Sequence, residues 1–168
     1  PEAVNKLAGV DKLPRGISAR STVTKQLDGE LTINVTLMRG DAGVGIMVRN
    51  YSVVEGQTVA EHAFIKLNAE FQGSGIGRAI INNQLKSYER FGVSKAKLDA
   101  TRVGQYYWPS LGFRMTNSAA LESLKTEFGS FVTAAGHSKA VAERMLGSVK
   151  SAQDIAAVSV DGQRLGKA

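Results

Sequence analysis

Gly73, Gly75 and Gly77 alternate with single residues between an extended apolar run, Val59 to Leu67, and an amphipathic run that begins at Ile76. Residues of that kind in that place can hold an anion. Glycine lets the backbone approach a phosphate closely, and the free amides and dipole of a helix N-terminus favour negative charge there. The spacing excludes two phosphate-loop patterns. A P-loop ends in Gly-Lys-Ser/Thr, whereas Gly77 is followed by Arg78 and Ala79. A dinucleotide loop, Gly-x-Gly-x-x-Gly, started at Gly73 would need its third glycine where Arg78 stands.

Such a loop needs a strand before it and a helix after it. Apolar positions Ile80, Ile81, Leu85, Tyr88 and Phe91 predict a helix from about Ile76 to Arg90, with Gly92 as its C-cap. Upstream, Ser21 to Gln26, Leu31 to Leu37, Val44 to Val54 and Val59 to Leu67 read as strands. Turn signals separate them at Asp28-Gly29, Gly40 to Gly43 and Glu55 to Thr58. This predicts an antiparallel meander leading into the loop. Downstream, Lys95 to Thr101 alternates as a strand with Ala96, Leu98 and Ala100 inward. A helix joins it to Val59–Leu67, so the two should pair in parallel. A short helix is expected from Gly104 to Leu111, with a strand starting at Gly112-Phe113-Arg114-Met115. Beyond Thr116 the character turns helical: Ser118 to Phe128 with Gly129 as its stop, Ser138 to Val149, a helix start at Ser151 to Asp154, and a hairpin over Val158 to Leu165. The fold class is α+β, in three layers, with a mixed, mostly antiparallel central sheet. Residues 1–16 read as a lead-in, 17–116 as the core and 117–168 as a C-terminal helical appendage.

A chain of 168 residues, 43% hydrophobic and 21% charged, has the composition of a globular protein with a proper core. No run approaches the roughly 20 apolar residues of a membrane span, and no signal peptide is visible. There is no cysteine, which excludes disulfides, thiolate metal sites and a cysteine nucleophile and is compatible with a cytoplasmic location. The formal charge is +6, but Lys and Arg are scattered, which disfavours nucleic acid as a partner and suits an anionic cofactor. The first residue is Pro1, so the chain reads as a processed product or a piece of a larger polypeptide.

Gln72-Gly73-Ser74-Gly75-Ile76-Gly77 resembles the Gln/Arg-x-x-Gly-x-Gly/Ala signature of the GNAT superfamily of N-acetyltransferases. Two flanking segments extend the likeness. Tyr106-Tyr107-Trp108-Pro109-Ser110-Leu111-Gly112-Phe113 looks like the aromatic-x-x-x-Gly-Phe segment that ends the superfamily's core. Glu61-His62-Ala63-Phe64-Ile65-Lys66-Leu67 looks like its fourth strand. The likeness covers about residues 17 to 116. It implies acetyl-CoA as the acetyl donor, an amine as the acceptor, no metal, and a parallel strand pair that splays apart to admit the pantetheine. Cofactor contacts would then fall on Ile65, Lys66 and Leu67 for the thioester and pantetheine, and on Gln72, Gly73, Ser74, Gly75, Ile76, Gly77 and Arg78 for the pyrophosphate.

The likeness also implies a general base at Glu61, a role a partly desolvated carboxylate can fill. An ordinary exposed strand glutamate is the equal alternative. His62 points to the opposite sheet face and reads as structural. The superfamily often places a tyrosine acid four residues before the glycine of Gly-Phe, and here that position is Trp108, which cannot protonate a thiolate. Tyr107, or else Tyr106, takes that role, unless all three aromatics simply pack. Only a tight turn stands where helices usually separate the superfamily's first two strands, so either the family's first strand lies nearer the N-terminus or the site is open, and an open site suits a protein or peptide amine better than a small metabolite. The alternative to an enzyme is a degenerate CoA-binding module embedded in a larger phage or mobile-element protein.

Overall fold

The computed structural model describes residues 2–99, 108–109, 111–115, 117–134, 136–157, 159–160 and 163–164. They form two compact units, divided after Asp99.

In the first unit, helix α1 (Glu2–Leu7) precedes four strands, β1 (Ser18–Lys25), β2 (Leu31–Arg39), β3 (Ala42–Val54) and β4 (Gln57–Leu67). Each pairs antiparallel with the next. The turns are tight because the backbone allows it: Glu55 (φ 51°) and Gly56 (φ 75°) both take left-handed conformations, as a two-residue turn that matches strand twist demands. A short 3-10 turn (Ala69–Phe71) leads through the glycine loop to α2 (Ile76–Arg90), and β5 (Val93–Lys97) then pairs parallel with β4. The sheet order is β1-β2-β3-β4-β5. This is the mixed, mostly antiparallel sheet with one parallel pair that the residues predict.

One face of the sheet carries the core. Ile33, Val35 and Leu37 of β2, Met47 and Tyr51 of β3 and Ala60 of β4 pack with Ile76, Ile80 and Tyr88 of α2. Full burial of a side chain such as Ile80 or Leu37 contributes roughly 1.5–3 kcal/mol. The buried stripe of α2 is Ile76, Ile80, Ile81, Gln84 and Tyr88. Leu85 and Phe91, expected on it, lie at its margin and are exposed. Gln84 is inside because it has a polar partner there, described below. Residues 1–16 are more than a lead-in. Ala8 and Val10 are buried in this core, and Asn83 Nδ2 donates to the carbonyls of Gly9 (3.2 Å) and Lys12 (2.7 Å).

His62 faces this core and is buried, with Nε2 2.7 Å from the Tyr88 hydroxyl. Burial, and secondarily the nearby Arg49 charge, push its pKa down from 6.5 to about 3, so it folds neutral. The unfolded chain therefore binds a proton here that the folded chain refuses. Stability is fully present above the unfolded value of 6.5 and is lost as the pH falls towards about 3. At pH 5 the loss should be about 2 kcal/mol relative to pH 7. Urea unfolding at the two pH values checks this, and His62→Gln should abolish most of the difference. A pH-independent midpoint would contradict a neutral buried His62.

The second unit is helical. Trp108 and Pro109 are helical, and the Trp108 ring meets that of Phe113 edge-on at 5.4 Å. Helix α3 (Ser118–Ala134) is capped by Asn117, whose Oδ1 accepts from Ala120 N. Then come α4 (Lys139–Gly147), α5 (Ala152–Ala157) and the antiparallel pair β6 (Ser159–Val160) and β7 (Gln163–Arg164). Leu124, Phe128, Val132, Ala142, Val149, Ala152 and Ile155 form its core. Gly129, expected to stop α3, lies inside it. A Cβ there would stand 3.4 Å from Leu146, and burial of Phe128 and Val132 on either side outweighs the ~1 kcal/mol that a mid-helix glycine costs. Gly136, at φ 92°, follows the helix instead.

Candidate active site

The expected site begins in β4, where the alternation of the strand is interrupted. Val48 pairs with Phe64 and Asn50 with Glu61, so His62 and Ala63 together oppose Arg49. This is a β-bulge. It reverses the phase of the strand: Ala60 and His62 face the core before it, and Ile65 and Leu67 pack against the core after it.

The ladder beyond the bulge decides where the backbone groups point. Asn68 N donates to Val44 O at 2.9 Å, which makes that opposed pair a hydrogen-bonded one. Antiparallel pairs alternate between bonded and non-bonded. In the unbroken register that follows, Ile46 with Lys66 and Val48 with Phe64 are therefore bonded, and Ile65 and Leu67 turn their N–H and C=O groups away from β3. On that side β5 has already left, because its last pair with β4 is Glu61 with Lys97. The Leu67 carbonyl takes the Gln72 side-chain amide at 3.0 Å instead. Two amides, those of Ile65 and Leu67, thus line the fork between the parallel strands. β3 can lie close to this stretch because residue 45 is glycine. A Cβ there would collide with the Lys66 carbonyl oxygen.

The glycine loop continues the row. Gly73 (φ 72°) and Gly75 (φ 82°) are left-handed, Ser74 Oγ donates to Phe71 O, and Gly75 is the N-cap of α2. Gly75 offers no side-chain cap, and the first turn carries no acidic residue. The first bond of the helix runs from Ala79 N to Gly75 O at 2.9 Å, so the amides of Ile76, Gly77 and Arg78 precede the hydrogen-bond ladder. A Cβ on Gly73, Gly75 or Gly77 would meet nothing within 4 Å, so open space lies over the loop. Ile76 is buried beneath it and Arg78, in the first turn of α2, is exposed, while Lys66 is exposed on the sheet face opposite Ile65 and Leu67. Uncapped amides, a helix dipole and the Arg78 cation suit a pyrophosphate.

Glu61 is half-buried at the fork, directly between Asn50 of β3 and Lys97 of β5, on the sheet face opposite His62. Tyr106 and Tyr107 lie outside the described residues, as does most of the short helix expected from Gly104 to Leu111. Trp108 is buried against Phe113. A cavity of about 720 Å³ in the second unit, lined by Arg114, Ser118 and Lys150 among others, includes none of the expected site residues. Among the described residues no cluster of His, Asp and Glu is placed to hold a metal, and no helix is long and apolar enough to cross a membrane.

An antiparallel meander, a glycine loop opening a helix, and a parallel fifth strand that leaves the sheet early are what the resemblance implies, and the bulge in β4 adds to them. The fold is GNAT-like. Solved structures similar to the chain include an acetyltransferase from Trypanosoma brucei, 20% identical, at a TM-score of 0.45 over 54% of this chain and 66% of that one. A transcriptional regulator from Bacillus halodurans is 15% identical, at a TM-score of 0.47 over 56% and 65% of the two chains. A glucosamine-6-phosphate N-acetyltransferase from Arabidopsis thaliana is 12% identical, at 0.43 over 55% and 63%. The chain therefore spans just under two thirds of the length of each. Neither a family model nor a curated protein matches the sequence.

One residue of the site carries no motif. Arg49 is fully buried below the bulge, where Nη1 donates to the carbonyls of Val48 (2.9 Å) and Phe64 (2.8 Å), and Nε and Nη2 face Gln84 Oε1 at 3.4 Å. Desolvation lowers its pKa to about 10, which leaves it charged at neutral pH. The signal was phase: Arg49 alternates with Met47 and Tyr51, both core residues.

Proposed function

We propose that the chain is an N-acetyltransferase that takes the acetyl group of acetyl-CoA and delivers it to an amine. The observation that carries this reading is the row of outward amides from Ile65 and Leu67 to the uncapped start of α2, at the place where β4 and β5 part. The pyrophosphate would lie on the amides of Gly73 to Arg78, flanked by Gln72, Ser74 and Arg78, and the thioester and pantetheine would lie along Ile65, Lys66 and Leu67, bonding to the outward amides as a strand does.

The amine nitrogen attacks the thioester carbonyl carbon. A C–N bond forms, the carbonyl oxygen gains negative charge near the Ile65 amide, and the C–S bond then breaks. Glu61, at the fork, takes the proton that the ammonium must lose. The departing thiolate takes a proton from Tyr107, or from Tyr106 in its place. β1 and β2 are joined by a tight turn at Asp28-Gly29 rather than by a helix, with the Glu30 amide donating to Asp28 Oδ1 at 3.0 Å, which supports an acceptor larger than a small metabolite. A protein or peptide amine is such an acceptor.

Burial of Trp108 against Phe113 favours a second reading, in which the chain binds CoA without turning it over, as a module of a larger polypeptide. Free-thiol release from acetyl-CoA in the presence of a mixed pool of amines and lysine peptides separates the two. Amine-dependent release is the expected result, and saturable CoA binding without release would establish the module instead.

A further inference from the structure

Arg49 is the largest fully buried side chain among the described residues, and no described carboxylate pairs with it. A buried charge without a counter-ion is costly, and a methionine would fill similar space without that cost. What the charge does follows from the two groups its Nη1 touches. One is the carbonyl of Phe64, at 2.8 Å. That carbonyl and the Ile65 N–H belong to the same peptide unit, and in a planar trans peptide they point in opposite directions. The carbonyl faces β3 and the guanidinium, and the N–H faces the fork.

A charged donor on a carbonyl is about twice as strong as a neutral one, and hydrogen bonds at the two ends of one peptide reinforce each other. We propose that Arg49 is a positioning residue that pins the β4 bulge and polarises the Phe64–Ile65 peptide, so that the Ile65 amide becomes a stronger donor to the carbonyl oxygen of the bound thioester. Arg49 touches no substrate and acts from beneath the sheet. Gln84 completes the arrangement by holding the planar guanidinium from α2 through Nε and Nη2. The proposal rests on the acetyltransferase reading for its consequence, though not for its physical step.

Two variants test it. Arg49→Met removes the charge and the bonds. Gln84→Glu keeps the packing and places a carboxylate against the guanidinium, which drains the polarisation without emptying the site. Removing an oxyanion donor outright costs about 100- to 1,000-fold in kcat. Weakening one should cost about tenfold in Gln84→Glu and more in Arg49→Met, with the Kd for CoA within about twofold of wild type. In the ligand-free protein the amide proton resonance of Ile65 should move upfield in both.

Unchanged kcat in a folded variant, or loss of CoA affinity in step with kcat, would overturn the proposal and leave Arg49 a structural residue. Should Arg49→Met not fold, Gln84→Glu decides by the same measures. Should the wild type transfer no acetyl group, the acetyltransferase reading fails separately. The Ile65 resonance then decides alone: an upfield shift sustains the polarisation and an unmoved signal removes it.

Discussion

Glu61→Gln is expected to lower acetyl transfer about 100- to 10,000-fold near neutral pH while the affinity for acetyl-CoA stays within about twofold. The side chain keeps its size and its place between Asn50 and Lys97 and loses the ability to accept a proton. A lysine-like acceptor has a pKa of about 10.4 and is almost entirely ammonium at pH 7. As the pH rises towards that value, the solution itself supplies free amine. The deficit of the variant should therefore shrink steadily between about pH 7 and pH 10. Thiol release measured across that range reads it directly. A deficit of equal size at every pH would make Glu61 an acceptor-binding group rather than the base.

Gly75→Trp is expected to weaken acetyl-CoA binding by at least about 100-fold, a loss of roughly 3 kcal/mol. Two effects combine there. Gly75 sits at φ 82°, ψ −2°, a conformation that costs a side-chain-bearing residue about 1–2 kcal/mol. The space above it is empty to 4 Å, so an indole would stand where the phosphates are to lie. The variant should keep its fold, because nothing of the core lies in that direction. A far-ultraviolet spectrum like that of wild type, with a single cooperative transition lowered by about 4–8 °C per kcal/mol of strain, would separate blocked binding from unfolding.

The sheet and α2 were legible because their signals are local. Alternation in Leu31–Leu37, the turn residues at Asp28-Gly29 and Glu55-Gly56, and the glycines before Ile76 each act over a few residues, and α2 ends at Arg90 as its period and Gly92 require. The bulge at His62-Ala63 was not legible, because the run from Val59 to Leu67 is apolar enough to read as one unbroken strand. Its consequence, the turning of Ile65 and Leu67 towards the core with their amides at the fork, depends on pairing with β3 and is stated by no single strand. Arg49 and Gln84 were missed for a related reason. Each reads as a solvent residue alone, and each is inside because the other is. Gly129 misled in the opposite direction, since a helix breaker by propensity is kept in α3 by the packing of Phe128 and Val132.

The measurement that bears most directly on the central claim is calorimetric titration of acetyl-CoA into the wild-type chain, with Gly75→Trp alongside. Saturable one-to-one binding to the wild type, lost in the variant, is the predicted result. It would place the ligand on the glycine loop, and thiol release would then report turnover. Absence of heat with the wild type, or equal binding to both proteins, would contradict a phosphate site at the start of α2 and with it the acetyl-CoA reading.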